Sequence, residues 1–444
     1  MIRWMLNIAY IAALVVFSPW LVFSAITKGK YREGFAAKLF GCAPQLEGLD
    51  KTPGNDTRRV WIHAVSVGEV NLIAPILKGL KQAFPQYEFV ISSTSKTGFQ
   101  LAKRKFPEHV VFYAPLDFTW SVRRAFRRIQ PDVLALVELE LWPNLLWEAE
   151  KLGVPVVVFN GRLSEHSFRN YRWVRWLMRR VVRPLSLVLT QDEQSAAHFR
   201  ELGVPSERIH DVGSLKYDGA ETNRQNEKTQ RLKRLWNLTD SDTVFLAGST
   251  QAPEESLALR TFLELSPTHP DLRLILVPRH PERFDEVAGI LSQSDVSWIR
   301  RSQLGSADGD STVDSDVVNH SEKVLLVDTV GELAAWWGTA SIGFVGGSLQ
   351  NKRGGQNMIE AAAFGTAVCF GPNTWNFRDI VRTMLDQQAA VVVRDGDELT
   401  RFVERCLNDA AFREQLGRNT AQLVVRQQGA LQKSVELFRA SITD

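Results

Sequence analysis

The residues of this chain best suited to catalysis are carboxylates that closely follow short apolar stretches. Glu69 follows the apolar residues 59–65 after Ser-Val-Gly, and it opens the next amphipathic segment. A carboxylate at a strand end that faces a cleft is a candidate general base. The alternative is a first-turn glutamate that only complements the helix dipole. Glu69 alone does not decide between these two functions.

A second pair of carboxylates, Glu138 and Glu140, follows the apolar residues 133–137. Side chains alternate along a strand, so these two glutamates are expected on the same face. Two carboxylates at an apolar strand end are costly unless they are paired or functional. Arg162, which ends another apolar stretch, could pair with one of them or hold an anionic ligand.

A glycine-rich stretch at residues 344–372 indicates an anion site. Two glycine pairs, at 346–347 and 354–355, follow an apolar run and precede a helix predicted at 356–364. Glycines at a strand end let backbone N–H groups approach an anion, and the free N–H groups of a helix start add to this. Glu360, about one turn into the helix, could accept both hydroxyls of a ribose. The alternative is a βαβ unit whose glycines only form turns.

Two further strand ends could hold a phosphate. Ser249 lies in a Gly-Ser-Thr sequence between an apolar stretch and a Pro-Glu-Glu helix start, which is a second candidate for a phosphate-binding helix N-terminus. Arg279 and His280 follow the apolar residues 272–277, and both side chains suit a phosphate.

The elements that would position these residues are buried strands alternating with amphipathic helices. Continuous Val, Ile, Leu and Phe stretches indicate parallel strands buried on both faces. In the first half they lie at residues 59–65, 87–92, 109–113, 133–137, 154–159, 185–190 and 208–212. In the second half they begin near residue 243 and continue at 272–277, 324–327, 341–345, 366–370 and 389–393. This alternation predicts two doubly wound α/β domains, with ligands beyond the carboxyl ends of the strands and in a cleft between domains.

Two helices and one loop are specific enough to test. Helices are predicted at 70–83 and 191–202, and Pro75 should kink the first or delay its start. The Ser/Asp/Gly-rich residues 302–321 predict a mobile surface loop. Helices from residue 398 to about 442 close the chain, and the last could return to the first domain.

The N-terminus predicts a membrane anchor. No charged residue occurs at positions 4–26, which is long enough for a helix to cross a bilayer core of about 30 Å. Basic residues after this stretch outnumber those before it, so the large C-terminal body is expected in the cytoplasm. A helix that only dips into the membrane and a buried core helix are the alternatives.

The predicted boundaries are 1–27 for the anchor, 28–218 and 242–444 for the two domains, and 219–241 for a linker.

Composition excludes several classes of protein. The 444 residues allow two or three domains, and a net charge of +3 is too small to indicate nucleic-acid binding by itself. Three cysteines, far apart, argue against a disulfide framework or a zinc site. The histidines show no metal-ligand spacing.

Residues 168–184 predict a basic helix with interleaved aromatics. It could be a solvated helix, a membrane-surface helix or, least supported, a nucleic-acid contact.

Seven short motifs occur in order along nearly the whole chain. They are WIHAVSVGE at 61–69, ELELWPN at 138–144, NGRLS at 160–164, GSLKYD at 213–218, PRHPERF at 278–284, DTVGEL at 328–333 and GGSLQNKRGGQNMIE at 346–360. Together they closely resemble the Kdo transferase family, the 3-deoxy-D-manno-octulosonic acid transferases of lipopolysaccharide synthesis. Seven ordered motifs are far more specific than any one of them.

The resemblance implies an inverting, metal-independent glycosyltransferase of the GT-B fold, with two Rossmann-like domains facing a cleft. It implies transfer of Kdo from CMP-Kdo to the lipid A precursor, lipid IVA, at the bacterial inner membrane on the cytoplasmic side. The first domain would bind the acceptor and the second the CMP-sugar. The expected partners are donor, acceptor and membrane lipid, with no cofactor and no nucleic acid.

The resemblance also assigns residues. Glu69 would match the catalytic base, and Glu138 and Lys216 would match a pair that assists the transition state. The remaining candidates belong to the expected nucleotide site: Ser249, Arg279, His280, Val330, Gly331, Glu332, Gly355, Asn357, Met358, Ile359 and Glu360.

The chain departs from the family pattern at three points of the expected nucleotide loop. Gln356 stands where a histidine is usual, Ala361 where proline is frequent, and residues 348–354 are about one residue longer. These departures affect the shape of that loop more than the reaction.

Two other functions are alternatives to Kdo transfer. One is another GT-B transferase or epimerase with a different nucleotide sugar, and the other is a membrane-tethered binder of sugar nucleotides without turnover.

Overall fold

The computed structural model describes residues 2–28, 33–48, 57–305, 321–350 and 352–443. The chain forms two compact units. Unit 1 comprises residues 1–218 and 428–444, and unit 2 comprises residues 219–427.

Unit 1 is built on a parallel sheet of seven strands in the order β3-β2-β1-β4-β5-β6-β7. The strands are β1 Arg59–Ala64, β2 Glu88–Ser93, β3 Val110–Tyr113, β4 Val133–Val137, β5 Val156–Gly161, β6 Leu185–Thr190 and β7 Ile209–Asp211. Each lies within two residues of its predicted ends, because continuous apolar stretches leave little choice of element. The order places the carboxyl ends of β1, β4 and β5 side by side.

The helices of unit 1 fill both faces of this sheet. In chain order they are α1 Ile2–Lys28, α2 Phe35–Phe40, α3 Val67–Ala83, α4 Lys96–Lys105, α5 Thr119–Ile129, α6 Pro143–Leu152, α7 Glu165–Trp173, α8 Arg175–Val182 and α9 Glu193–Leu202. Two predictions need correction. Helix α3 begins at Val67 and continues through Pro75, since the Ser66 cap fixes an early start. The predicted basic helix is two helices that meet at Val174.

Unit 2 repeats the architecture with a second seven-stranded parallel sheet, in the order β10-β11-β9-β8-β12-β13-β14. Its strands are β8 Thr243–Thr250, β9 Leu272–Pro278, β10 Trp298–Arg300, β11 Val324–Leu326, β12 Ile342–Val345, β13 Ala367–Phe370 and β14 Val391–Val392. The short edge strand β10 was not predicted, because its three residues are only half buried. Of the predicted loop at 302–321, residues 306–320 lie outside the described residues, and 301–303 form a 3-10 turn.

The helices of unit 2 are α10 Glu227–Leu235, α11 Glu254–Leu265, α12 Phe284–Ser292, α13 Leu333–Trp337, α14 Ile359–Ala363, α15 Arg378–Asp386, α16 Gly396–Asn408 and α17 Ala410–Gln427. Helix α14 is shorter than the predicted helix at 356–364. Gly354 and Gly355 both adopt φ of +80°, and the side chain of Asn357 accepts the backbone N–H of Ile359. The chain therefore turns before the helix starts, and Glu360 lies in its first turn.

The last helix, α18 (Ala430–Thr443), belongs to unit 1. Its Phe438 is fully buried and contacts the rings of Phe84 and Phe159. The carboxylate of Asp218 accepts the backbone N–H groups of Gly429 and Leu431 just before and within this helix. A buried aromatic cluster and a charged cap thus hold the end of the chain on the first sheet.

Helix α1 is, among the described residues, the one helix long and apolar enough to cross a membrane by length and composition. Polar side chains near its start bond to unit 1. Asn7 donates a hydrogen bond to Thr119 (2.7 Å) and Tyr10 donates one to Asp117 (3.0 Å). Large apolar side chains along the rest of the helix are exposed: Trp4, Met5, Ile8, Ile11, Val15, Val16, Phe17, Trp20, Phe23 and Ile26.

Candidate active site

The carboxyl end of β1 places Glu69 in the first turn of α3. Ser66 caps this helix, and Glu69 is its reciprocal partner in a capping box. The Glu69 carboxylate accepts hydrogen bonds from the backbone N–H groups of Val65 (2.7 Å) and Ser66 (3.2 Å) and from the Ser66 hydroxyl (2.7 Å). The helix-cap interpretation is therefore structurally correct, but it does not exclude a catalytic function.

Glu69 is nevertheless an unusual cap, because its side chain is almost fully buried (8% exposed). Burial raises the pKa of Glu69, and the negative charge of Glu138 raises it further, while the three hydrogen bonds lower it. The net direction is upward. A carboxylate with a raised pKa is a stronger base at neutral pH than an ordinary glutamate.

Glu138 follows β4 in a left-handed backbone conformation, with φ of +63°. Its carboxylate forms an ion pair with the ammonium of Lys216 at 3.2 Å, and both side chains are partly exposed. A non-glycine residue in this conformation is uncommon and costs energy, and such residues cluster at functional sites. The structure thus brings Glu69 and Glu138 together at the carboxyl ends of the neighbouring strands β1 and β4. Lys216, which only the family resemblance had assigned to this pair, is bonded to Glu138.

Asn160 helps to set this geometry, although the sequence did not single it out. It is fully buried at the end of β5 with φ of +56°. Its side-chain oxygen accepts the N–H of Leu215, directly before Lys216, while the N–H of Glu138 bonds to the carbonyl of Phe159, directly before Asn160. The Asn-Gly dipeptide after an apolar run was the available signal, because asparagine tolerates left-handed backbone.

A third carboxylate, Glu140, lies in the same cluster. Its side chain accepts a hydrogen bond from the indole N–H of Trp142 at 2.6 Å, and Nε2 of His63 lies 3.9 Å from the same carboxylate. Burial, and then the charge of Glu69, raise the pKa of Glu140 to about 8. Arg162, which the sequence offered as a partner, lies at the same edge after β5.

In unit 2 the first glycine pair is not an open anion site. The carboxylate of Glu254, at the start of α11, accepts the backbone N–H groups of Gly347 (2.7 Å), Ser348 (3.0 Å) and Leu349 (3.0 Å). It also accepts the N–H of Gln251 at 2.9 Å. The N–H groups that were expected to meet a phosphate are therefore bound by a buried side chain of the chain itself.

Ser249 lies where β8 and β12 approach each other closely. A Cβ on Gly346 would be 2.7 Å from the carbonyl oxygen of Ser249, so only glycine fits there. Ser249 has φ of +55°. The helix start that follows carries two buried carboxylates, Glu254 and Glu255. Two negative charges argue against a phosphate at this helix N-terminus, in contrast to the prediction.

Arg279 contacts the loop that follows the second glycine pair, Gly354 and Gly355. Its Nε donates a hydrogen bond to the side chain of Gln356 at 3.2 Å, and its charge lowers the pKa of Glu360, which burial raises. Asn357 donates a hydrogen bond to Glu360 at 3.1 Å. Arg279, Gln356, Asn357 and Glu360 thus form one polar cluster, assembled from the end of β9 and the start of α14.

The other predicted nucleotide residues surround this cluster in different ways. Met358 and Ile359 have buried side chains, so only their backbone could reach a ligand. Gly355 donates its N–H to the carbonyl of Gly347. His280 lines a cavity of about 270 Å³ together with Arg353 and others.

Residues 330–332, after β11, present an exposed turn. Val330 is 80% exposed, and Gly331 has φ of +95°. In the part of the chain that the structure describes, the N–H groups of Val330, Gly331 and Glu332 donate no hydrogen bond. The Glu332 carboxylate is held by Arg301 at 2.8 Å. The backbone N–H groups of this turn are therefore available to donate hydrogen bonds to an anionic group.

Comparison with solved structures defines the class of protein. UDP-GlcNAc 2-epimerase from Neisseria meningitidis bound to UDP-GlcNAc covers 84% of this chain and 100% of that chain, with a TM-score of 0.51 and 12% identity. A glycosyltransferase from Rickettsia africae ESF-5 covers 88% and 100%, with a TM-score of 0.50 and 10% identity. At such low identity these likenesses show the fold alone. The chain has the GT-B type fold of two parallel-sheet α/β domains.

Sequence comparison then gives the family. Residues 35–219 match the family model described as 3-deoxy-D-manno-octulosonic-acid transferase (kdotransferase). The 3-deoxy-D-manno-octulosonic acid transferase of Haemophilus influenzae is 34% identical over 382 residues, which is 86% of each chain. This chain belongs to the Kdo transferase family. It is a glycosyltransferase with a Kdo transferase function in lipopolysaccharide biosynthesis.

Proposed function

We propose that this protein transfers Kdo from CMP-Kdo to lipid IVA, the lipid A precursor, in one inverting displacement that needs no metal ion. The observation that carries the proposal is the cluster of Glu69, Glu138 and Lys216 at the carboxyl ends of β1, β4 and β7. The expected donor and acceptor follow from the family. Unit 1 would bind the acceptor and unit 2 the donor.

Glu69 is the proposed general base. Its carboxylate accepts the proton of the acceptor hydroxyl as the hydroxyl oxygen attacks the anomeric carbon of Kdo. The bond between that carbon and the phosphate oxygen of CMP breaks, and CMP leaves with the bonding electrons. Attack from the side opposite CMP inverts the anomeric configuration. The raised pKa of Glu69 favours this proton transfer.

Glu138 and Lys216 are proposed to act as a pair. The ion pair at 3.2 Å holds the ammonium in a fixed place, where its positive charge can stabilise negative charge that develops in the transition state. The left-handed backbone of Glu138 and the hydrogen bond from Leu215 to Asn160 position the two partners. Neither side chain needs to move for this function.

The nucleotide is proposed to bind at the strand ends of unit 2. Arg279, His280 and the backbone N–H groups of residues 330–332 would hold the phosphate, which gains charge as CMP leaves. Glu360, fixed by Asn357, would accept the ribose hydroxyls. Ser249, Gly355, Met358 and Ile359 would contribute backbone or short side-chain contacts. Positive side chains and N–H groups supply the electrostatic stabilisation in this proposal, which is why it includes no metal.

The protein is proposed to act at the cytoplasmic face of the bacterial inner membrane. The exposed apolar side chains along α1 suit a lipid environment. The start of α1 is held on unit 1 by Asn7 and Tyr10, and Arg3 pairs with the buried carboxylate of Glu148 at 3.0 Å. These polar contacts favour a helix that lies at the membrane beside unit 1 over a helix that crosses the bilayer freely.

The proposal is tested by transfer in the presence of excess chelator, with the anomeric configuration of the product read by NMR. Inverted product at an undiminished rate is expected. Retention of configuration, or loss of transfer that added metal restores, would contradict it. Competition of CMP against UDP for the protein tests the donor. Tighter binding of UDP would favour a different nucleotide sugar, as in another GT-B transferase or an epimerase.

A further inference from the structure

Glu140 is a largely buried titratable group, with 12% of its side chain exposed, that the proposed reaction does not use. Three carboxylates, of Glu69, Glu138 and Glu140, gather at the ends of β1 and β4, and one ammonium, of Lys216, is paired within this cluster. Neighbouring carboxylates that are largely shielded from solvent cannot all keep their charge at neutral pH without strong compensation. The structure shows how that compensation is divided.

The three carboxylates are compensated unequally. Glu138 has the ammonium of Lys216 at 3.2 Å. Glu69 accepts three hydrogen bonds from Val65 and Ser66. Within the described part of the chain, Glu140 accepts one hydrogen bond, from the indole of Trp142. Hydrogen bonds to a charged carboxylate favour its ionised form. The cluster therefore favours ionisation of Glu69 over that of Glu140.

We propose that Glu140 carries a proton in the resting enzyme, which keeps Glu69 ionised as the base and keeps the cluster open to anionic reactants; this inference rests on the function proposed for Glu69. When two carboxylates interact this closely, the first proton to bind belongs to the pair. The unequal donors place it on Glu140. Glu140 is thus a positioning residue, because it acts through the charge of its neighbour.

Two described side chains near Glu140, those of His63 and Tyr171, add no positive charge. His63, from β1, is fully buried, and burial lowers its pKa to about 4, so the ring is neutral. Its Nδ1 lies 2.9 Å from the Ser92 hydroxyl, which leaves Nε2 facing Glu140. Tyr171, from α7, is also neutral, since burial and the nearby Glu140 raise its pKa. The pKa of about 8 for Glu140, caused mainly by burial, agrees with this arrangement.

The location of the proton can be measured without any transfer. Infrared spectra of the full-length protein at about pH 7 should show a carboxylic-acid carbonyl band that is lost at every pH in Glu140→Gln. In Glu69→Gln the band should remain but titrate at lower pH, because the charge of Glu69, which raises the pKa of Glu140, is gone. The two variants are matched, since each replaces one carboxyl by an amide in the same cluster. A band lost in Glu69→Gln and kept in Glu140→Gln would place the proton on Glu69 and overturn the inference.

The effect on the reaction is measured by the pH dependence of kcat/KM. In the wild type, kcat/KM should fall by about fivefold to tenfold above pH 8, through a higher KM, since ionised Glu140 repels an anionic acceptor. The ratio of kcat/KM at about pH 9 to that at pH 7 should stay flat in Glu140→Gln. In Trp142→Phe, which removes the hydrogen bond to the ionised form, the fall should move to higher pH. An identical alkaline fall in Glu140→Gln would overturn the inference.

The infrared and transfer measurements distinguish failure of this inference from failure of the proposed function. If the band behaves as expected but Kdo transfer is absent, the proposed function fails while the proton on Glu140 stands. If transfer is observed but the band follows Glu69, the inference fails while the proposed function needs a different base.

Discussion

The first strand–helix turn of each unit contains a buried glutamate, and the two glutamates have opposite surroundings. Glu69 follows β1 and Glu254 follows β8, each in the first turn of the next helix. Burial raises the pKa of both. Glu254 is bound by backbone N–H groups from a segment more than ninety residues away. Among the described residues, the hydrogen-bond donors to Glu69 all come from its own turn. Its charged neighbours are Glu138 and Glu140.

This difference in hydrogen-bond donors distinguishes a carboxylate that stabilises the fold from one that could take part in the reaction. Four N–H groups occupy both oxygens of Glu254, so its charge fixes the turn at residues 346–349. The donors to Glu69 come from residues 65 and 66, and its pKa responds to Glu138. Similar sequence positions in two similar domains therefore serve different functions, and the origin of the hydrogen-bond donors distinguishes them.

The largest expected effect is that of Glu69→Gln. Loss of a general base should reduce Kdo transfer by about 10²-fold to 10⁴-fold. Glutamine can replace glutamate in a capping box, so the unfolding temperature should change little. Steady-state transfer at saturating donor measures the first effect, and thermal unfolding with CMP binding provides the control. A variant that is folded but no longer binds CMP would contradict the assigned role.

The same substitution in the other unit should show the reverse pattern. In Glu254→Gln, an amide group would face two of the four N–H donors, which should cost unit 2 about 2–4 kcal/mol of unfolding free energy. Thermal or urea unfolding of the full chain measures this loss, with Glu69→Gln as the matched control. Equal stability of the two variants would show that the turn at residues 346–349 does not depend on the charge of Glu254.

A smaller effect is expected for Arg279→Ala. Loss of a charge-assisted contact to phosphate should weaken CMP binding by about 10-fold to 100-fold. Gln356→Ala, which removes only the hydrogen bond that orients Arg279, should weaken CMP binding by less than about tenfold. Isothermal titration with CMP measures both. The nucleotide assignment fails if Arg279→Ala binds CMP as well as the wild type does.

The smallest effect is expected for the partly exposed pair of Glu138 and Lys216. Such pairs contribute less than about 1 kcal/mol to stability, so Lys216→Met and Glu138→Gln should unfold near the wild-type temperature. Transfer should nevertheless fall by about tenfold in each, because the fixed ammonium is lost. In the double variant the losses should not multiply. Full transfer activity in both single variants would contradict the catalytic role of Glu138 and Lys216. The pair would then be an ordinary surface ion pair.

Much of the fold and part of the site follow from the sequence. Apolar stretches located the strands of both sheets and placed Glu69 and Glu138 at strand ends. That β1 and β4 are neighbours, which brings these two glutamates together, is a result of the structure. The approach of Lys216 to Glu138 required the resemblance. Local patterns sufficed for the strand positions because they depend on residue order.

The remaining features depend on contacts distant in sequence. Glu254 looked like part of a phosphate-binding helix start, and its partners at residues 347–349 could not be read from its own segment. The late start of α14 depends on the conformation of Gly354 and Gly355. The position of Glu140 beside His63 depends on side-chain packing across two strands. Periodicity carries no information on these contacts.

The most direct test of the account is mass spectrometry of the lipid after incubation of the full-length protein with freshly generated CMP-Kdo and lipid IVA, the tetra-acylated lipid A precursor. The account predicts a mass gain of one or more Kdo residues with the wild type, and almost none in the same time with Glu69→Gln, although the variant still binds CMP. No gain from folded wild type that binds CMP, or an equal gain from the variant, would contradict it.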